Sequence, residues 1–278
     1  MNEKLIAFDM DGTLMRDDKS ISGRTIQALR AVAEKGMYLV PTTGRSYDGL
    51  PEEIRQLPFI RYVIASNGAL VYDAKEKNVL HTAERDKEAS KRMLEYMTGL
   101  PAMVTCYQNG KGWIDFNGRG PMEAYAPTPQ QFPFMKRVFE PIENLKESIW
   151  AFGDTTQKLQ VFFENGAIRD SYLKEMQETF PEYAISYALL NNIEVNAPEA
   201  NKGNALHFLC AYLHVAREES LAFGDGINDM TMILEAGTGV AMANAESSVL
   251  EIADAVTASN NEDGVAVFLE QLLSEMEG

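Results

Sequence analysis

The sequence predicts an α/β protein in which a core of parallel strands is split by an inserted α+β domain. Three observations lead there. Short apolar runs alternate with helical patterns through the first 80 or so residues, hairpin signals replace that rhythm in the middle, and it resumes from about residue 202. Strand–helix–strand alternation implies parallel strands with crossover helices, whereas hairpins imply antiparallel pairs.

Taken in order, Lys4 to Met10 reads as a buried strand, because Leu5, Ile6, Ala7 and Phe8 follow one another without polar alternation. Ser22 then stands ahead of Ile26, Leu29 and Ala33, the spacing of a helix that it caps and that ends near Gly36. Met37–Thr43 repeats the strand signal, Pro51–Leu57 reads as a weaker helix, and Arg61–Ser66 as a third strand. Ala69–Tyr72 and Val79–Thr82 flank a charged turn, and Met103–Tyr107 and Trp113–Phe116 flank Asn109-Gly110-Lys111-Gly112, two hairpin signals. Prolines and helical fragments fill 119–148, with strands expected at Lys158–Glu164 and Tyr183–Leu190. Helices at Ala205–Leu213 and Asp229–Glu235 then alternate with strands at Ser220–Phe223, Val240–Ala243 and Ala255–Thr257. The core is therefore assigned to residues 1–83 and 191–278 and the insertion to 84–190.

Composition narrows the function classes. The chain has 278 residues, 45% apolar and 24% charged, the balance of a globular protein. Its 41 acidic and 25 basic residues leave a net charge of −16, which repels nucleic acid and anionic lipid. A small phosphorylated ligand remains compatible, because local donors outweigh distant, screened charge. Cys106 and Cys210 form no metal-ligand or disulfide pattern, and two buried free thiols are expected. No signal-peptide pattern and no run of about 18 apolar residues occurs, so the expectation is a cytoplasmic protein, monomeric or weakly homo-oligomeric, with no membrane or nucleic-acid partner.

Four clusters carry chemistry. Asp9-Met10-Asp11-Gly12-Thr13-Leu14 follows the first strand, where open α/β sheets bind ligands. An Asp-Gly turn accounts for Asp11-Gly12 but not for Asp9. Two carboxylates so close repel unless a cation or shared proton intervenes. Thr42-Thr43-Gly44-Arg45 combines hydroxyls, glycine and a guanidinium, which suits an anion but equally a simple strand-to-helix turn. Lys202, in Asn201-Lys202-Gly203-Asn204, is either a point charge for phosphate or a solvated surface lysine. Gly224-Asp225-Gly226-Ile227-Asn228-Asp229 brings two further carboxylates, which with Asp9 make an oxygen-ligand set suited to Mg²⁺. His81, His207 and His214 are scattered and read as ordinary core or surface residues, as do the aromatics Tyr107, Trp113 and Phe116.

In this order the four clusters resemble the haloacid dehalogenase-like superfamily, specifically its Cof-type (subfamily IIB) hydrolases. DMDGTL at 9–14, TTGR at 42–45, NKG at 201–203 and GDGINDM at 224–230 carry the resemblance, with 239–245 and 262–266 similar to its C-terminal segments. Thr42 and Gly226 depart from the Ala and Asn of many relatives. The resemblance implies a Rossmann-like parallel-sheet core with an inserted cap that sets substrate specificity. It also implies a Mg²⁺-dependent phosphatase of small phosphorylated metabolites, sugar phosphates above all, working through an aspartyl-phosphate. By the same resemblance Asp9 is the nucleophile and Asp11 the acid–base. Asp9, Asp11, Asp225 and Asp229 bind metal, and Thr43, Gly44, Arg45, Lys202 and Asn228 bind phosphate and substrate. A phosphotransferase or phosphomutase on the same core is the alternative within the family. A non-catalytic binding or regulatory protein is the alternative outside it, against which the intact Asp9, Asp11, Lys202 and Asp225 stand.

Overall fold

The computed structural model describes residues 4–115, 122–126 and 131–277. The chain divides into two compact units, one of Met1–Gly44, Pro51–His81 and Asn201–Gly278, the other of Arg45–Leu50 and Thr82–Ala200.

The first unit is built on five parallel strands in the order Ala255–Val256, Thr238–Ala241, Ser220–Gly224, Leu5–Phe8, Tyr38–Pro41. Single parallel bridges, Leu39 to Ile60 and Thr42 to Ile64, set Tyr62–Ala65 alongside the last of these. That strand turns back through the antiparallel Leu70–Asp73 and Asn78–Thr82. The strand Leu5–Phe8, with a neighbour on each side, is apolar throughout because both its faces are covered: Leu5, Ile6, Ala7 and Phe8 are all at 0% exposure. Burying each large side chain of this kind contributes about 1.5–3 kcal/mol. Leu5 and Ala7 pack with Val40, Ile64, Leu206, Leu209 and Ala222.

Local signals explain where the helices begin and end. Ser22 caps Gly23–Glu34 by accepting from the Thr25 amide (3.0 Å), and Thr25, Ala28, Leu29 and Val32 form its buried stripe. It stops at Gly36, whose φ of +88° suits glycine, with the Met37 amide reaching back to the Val32 carbonyl (3.3 Å). The helix Lys202–Leu213 ends the same way, the Val215 amide on the Cys210 carbonyl (2.9 Å), but its left-handed residue is His214 at φ +57°.

The second unit holds a six-stranded sheet in the order Ala184–Ser186, Asn192–Asn196, Lys158–Phe162, Met103–Gln108, Lys111–Asp115, Phe139–Ile142. All its pairs are antiparallel except the last. Val104, Cys106, Leu159, Val161 and Val195 point to one face and pack against Met93, Leu94 and Met97 of the helix Lys87–Gly99. Met103, Tyr107, Ile114 and Phe162 point to the other.

Several boundaries differ from the sequence expectation. Residues 191–200, assigned above to the core, belong with the second unit, because Asn192–Asn196 pairs with Lys158–Phe162 (Val195 opposite Leu159). This strand escapes a sequence reading because Ile193 and Val195 alternate with Asn192, Glu194 and Asn196, residue types depleted in strands. The expected Tyr183–Leu190 strand shrinks to Ala184–Ser186, and the helix at Pro51–Leu57 to Glu52–Arg55. The second unit begins at Thr82 rather than 84 and also includes Arg45–Leu50. Phe116 lies outside the described residues. Both cysteines are buried and free, and His207 and His214 are exposed. Among the described residues no helix is long and apolar enough to cross a membrane.

Left-handed backbone is costly for a residue with a side chain. His214→Gly is therefore expected to stabilise the protein by roughly 0.5–1 kcal/mol, read as a higher urea midpoint at unchanged slope.

Candidate active site

The first unit gathers its polar residues at the carboxyl ends of its parallel strands. Asp9 follows Leu5–Phe8, Thr42 and Thr43 follow Tyr38–Pro41, Ser66 follows Tyr62–Ala65, and Asp225 follows Ser220–Gly224. Asp9 stays in the ladder through its amide, which donates to the Phe223 carbonyl (3.0 Å). The chain then folds back at once, with the Leu14 amide on the Asp9 carbonyl (3.2 Å). Gly12 makes that turn at φ +83°, and a Cβ there would run into the Asp225 carboxylate.

An ammonium stands at the centre. Lys202, fully buried, places Nζ 2.5 Å from Asp9 Oδ1 and 2.5 Å from Asp229 Oδ1. It is the first residue of its helix, which Asn201 caps by accepting from the Asn204 amide (2.8 Å). The next residue, Gly203, lets this helix approach the Thr231 backbone, since a Cβ would sit 2.5 Å from the Thr231 carbonyl oxygen. Asp229 Oδ2 accepts from the amides of Asp225 and Gly226, both at 2.9 Å. Asp229 therefore braces the loop as well as the lysine. Asp225 Oδ1 accepts from the Thr13 hydroxyl (2.7 Å).

Asp9, Asp225 and Asp229 each offer a carboxylate oxygen, all within 4.8 Å of one another. Burial drives the Asp9 carboxyl well above the ordinary range; Lys202 opposes the rise, and Asp229, Asp225 and Asp11 add to it. Burial and Asp229 likewise push Asp225 up to about 7, against the Thr13 hydroxyl and Lys202. For Lys202 burial works against the charge, but Asp229 and Asp9 more than compensate and hold it protonated. Two buried carboxylates and a half-buried third thus stand near one ammonium. A donor set of hard oxygens with unbalanced negative charge fits a divalent cation such as Mg²⁺.

The remaining expected residues divide. Asp11 lies outside the carboxylate group, its Oδ1 accepting from Lys19 Nζ (2.9 Å). Thr43 is buried and joined to the next strand end, its amide on the Ile64 carbonyl (2.9 Å) and its carbonyl accepting from the Asn67 amide (3.0 Å). Gly44 lies against the Asn67 carboxamide, and Asn228 Nδ2 donates to Asn67 Oδ1 (3.3 Å). Arg45 belongs to the second unit, where Nη1 donates to the Gly49 carbonyl (3.2 Å).

Four contributors carried no role of their own in the sequence reading, although Thr13 and Asn244 lie inside segments it singled out. Ser66-Asn67-Gly68 is a buried turn with Ser66 and Asn67 left-handed, at φ +53° and +58°. An Asn-Gly pair directly after an apolar run was its available signal, identical in position to the other clusters. Thr13 and Asn244, which donates to the Gly12 carbonyl (2.8 Å), lie within motifs already quoted, and Lys19 gave no comparable signal.

Comparison with known proteins agrees with this geometry. A family model described as haloacid dehalogenase-like hydrolase matches residues 6–269. The chain is 34% identical over 267 residues to a 5-amino-6-(5-phospho-D-ribitylamino)uracil phosphatase of Bacillus subtilis strain 168, covering 95% of this chain and 93% of that protein. A second phosphatase of that organism is 30% identical over 288 residues, covering 97% and 100%. Among solved structures, a haloacid dehalogenase-like hydrolase from B. subtilis superposes with a TM-score of 0.84 at 27% identity, covering 97% and 99%. A subclass IIB sugar phosphatase superposes at 0.81 with 23% identity over 97% and 98%, a likeness of fold.

The raised carboxyls set a pH dependence. Their protons bind more tightly in the folded than in the unfolded state, so this contribution to stability is complete below the unfolded value near 3.8. It is lost as pH rises through the folded value, which for Asp225 is about 7. A cation relieves the repulsion that appears at higher pH. Added Mg²⁺ is therefore expected to raise the melting temperature more at about pH 8 than at about pH 5, with Asp225→Asn shrinking the difference; thermal unfolding at both pH values measures it.

Proposed function

The chain belongs to the haloacid dehalogenase-like hydrolases, and from that premise we propose that it is a Mg²⁺-dependent phosphatase of small phosphate monoesters, sugar and sugar-alcohol phosphates foremost. One observation carries the reading. The Asp9 carboxylate, at a strand end, is held 2.5 Å from a buried ammonium and within 4.8 Å of two further carboxylates. A relative named for a phosphorylated ribityl compound supports the substrate class.

Asp9 attacks phosphorus through a carboxylate oxygen, forming an acyl phosphate as the ester P–O bond breaks. Asp11 gives its proton to the departing alkoxide. It then takes one from the water that attacks the acyl phosphate, releasing orthophosphate and restoring the Asp9 carboxylate. Lys202 lies against the attacking carboxylate, and with Thr43, Gly44 and Asn228 supplies donors to the phosphoryl oxygens. Asp9, Asp225 and the Asp11 carbonyl would hold Mg²⁺, and Asp229, engaged at both oxygens, orients this set. When bound, the metal offsets charge on the carboxylate and phosphoryl oxygens. Arg45 is proposed as a further contact to the substrate.

The second unit is assigned the choice among esters. Its sheet carries buried polar side chains, Thr105, Lys158, Gln160 and Glu194, that a purely structural sheet would not need.

Phosphate release from a panel of phosphorylated metabolites is expected only with a divalent cation, and chelation with EDTA should abolish it. Asp9→Asn should remove turnover entirely, and Asp11→Asn most of it, a loss of about 10²–10⁴-fold. Stoichiometric transfer to an acceptor hydroxyl without orthophosphate would instead show a phosphotransferase. Alanine substitutions in the second unit should reorder kcat/KM among esters by about 1–3 kcal/mol per contact, while Lys202→Ala weakens all of them alike.

A further inference from the structure

The arm that follows Asp11 carries a lysine that the mechanism above leaves without a part. Lys19 Nζ lies 2.9 Å from Asp11 Oδ1, across a turn in which the Lys19 amide donates to the Arg16 carbonyl (2.9 Å) and the Arg16 amide to the Ser20 carbonyl (3.0 Å). Lys19 holds a left-handed backbone, φ +69°. The turn does not hang loose. Arg16 forks onto Asp263, with Nη2 at 2.8 and 2.9 Å from the two oxygens. Asn260 Nδ2 donates to the Met15 carbonyl (3.0 Å) and to Asp17 Oδ1 (3.1 Å), and Asn261 Nδ2 to Asp17 Oδ2 (2.8 Å). The C-terminal 260–263 segment thus clamps the arm at three successive residues.

Stability does not account for this arrangement. The Lys19–Asp11 pair is exposed, at 51% and 41%, and an exposed pair adds little to folding, whereas left-handed backbone at lysine costs free energy. A strained residue kept in place by a bidentate ion pair and three asparagine hydrogen bonds directs attention to what it holds. We infer that Lys19 is a positioning residue: delivered by the arm that Asp263, Asn260 and Asn261 clamp, its ammonium fixes the orientation of the Asp11 carboxylate for proton transfer to the leaving group. A proton donor misplaced by an ångström forfeits much of its rate. The inference rests on the reading of Asp11 as the proton-transfer group.

The leaving group separates this role from a structural one. An alkoxide needs a proton as it departs, whereas p-nitrophenolate does not, and kcat/KM reports the step in which the ester bond breaks. Full-length Lys19→Met is expected to lower kcat/KM for an alkyl phosphate about tenfold while changing that for p-nitrophenyl phosphate less than about twofold. Lys19→Arg, which keeps a cation on the arm, should restore most of the loss, and Arg16→Met should reproduce the Lys19→Met pattern more weakly. Asp11→Asn, measured beside them, should show the same split at greater size. Equal losses with both esters, or none, in Lys19→Met overturn the inference while a split in Asp11→Asn leaves the Asp11 reading standing. If Asp11→Asn shows no split, that reading fails first and the inference falls with it.

Discussion

A buried ammonium shared by two carboxylates is the constraint on which the first unit depends. Lys202 has no exposure to water, so its charge is tolerable only because Asp9 and Asp229 stand at 2.5 Å on either side. Each partner must in turn be held. Asp229 is fixed by two backbone amides, Asp9 by its place in the strand ladder, and the lysine by a helix that comes close only because the next residue lacks a side chain. Burial makes this arrangement expensive and specific at once. The same low-polarity surroundings that raise the Asp9 and Asp225 carboxyls strengthen any cation that comes to balance them.

The sequence made the first unit legible where one residue decides a backbone event. Ser22 ahead of an apolar stripe, Gly36 after it, and unbroken apolar runs such as Leu5–Phe8 each correspond to a capped helix, its end, or a strand covered on both faces. The carboxylate clusters were legible for a related reason, since acids directly after a buried strand have few uses other than chemistry. Partnership across long separations was not. Nothing near Asp229 shows that its second oxygen braces its own loop, nor does anything near Asp11 show that Lys19 turns back onto it. The Asn192–Asn196 strand was hidden because its polar residues read as loop, although the structure buries them.

The second unit is packed by different means. On the face covered by helices, Cys106, Leu159, Val161 and Val195 meet other apolar side chains, and area removed from water does most of the stabilising. On the opposite face Lys158 and Glu194 pair at 3.0 Å while nearly dry, and the Lys158 ammonium lies 4.6 Å from the centre of the Tyr107 ring. Such a pair is weak evidence for stability, because desolvating both charges offsets much of their attraction. One face is therefore packed by apolar side chains alone, while the other joins an apolar cluster to a fixed charge pair.

Chain order gives the lysine–aspartate tie a consequence in time. Asp9 lies 193 residues before Lys202, and the whole second unit is threaded between them. Domains fold as they leave the ribosome, from the N-terminal side onward, so the inserted unit has its full sheet before the first unit can close its own. For most of its synthesis the chain carries Asp9 with neither its ammonium nor its companion carboxylates. The strand Leu5–Phe8 likewise waits for Ser220–Gly224 to arrive as its neighbour. The surroundings of Asp9 are thereby completed only at the last stage of assembly, and a chain cut short in the inserted unit carries Asp9 without the residues that enclose it.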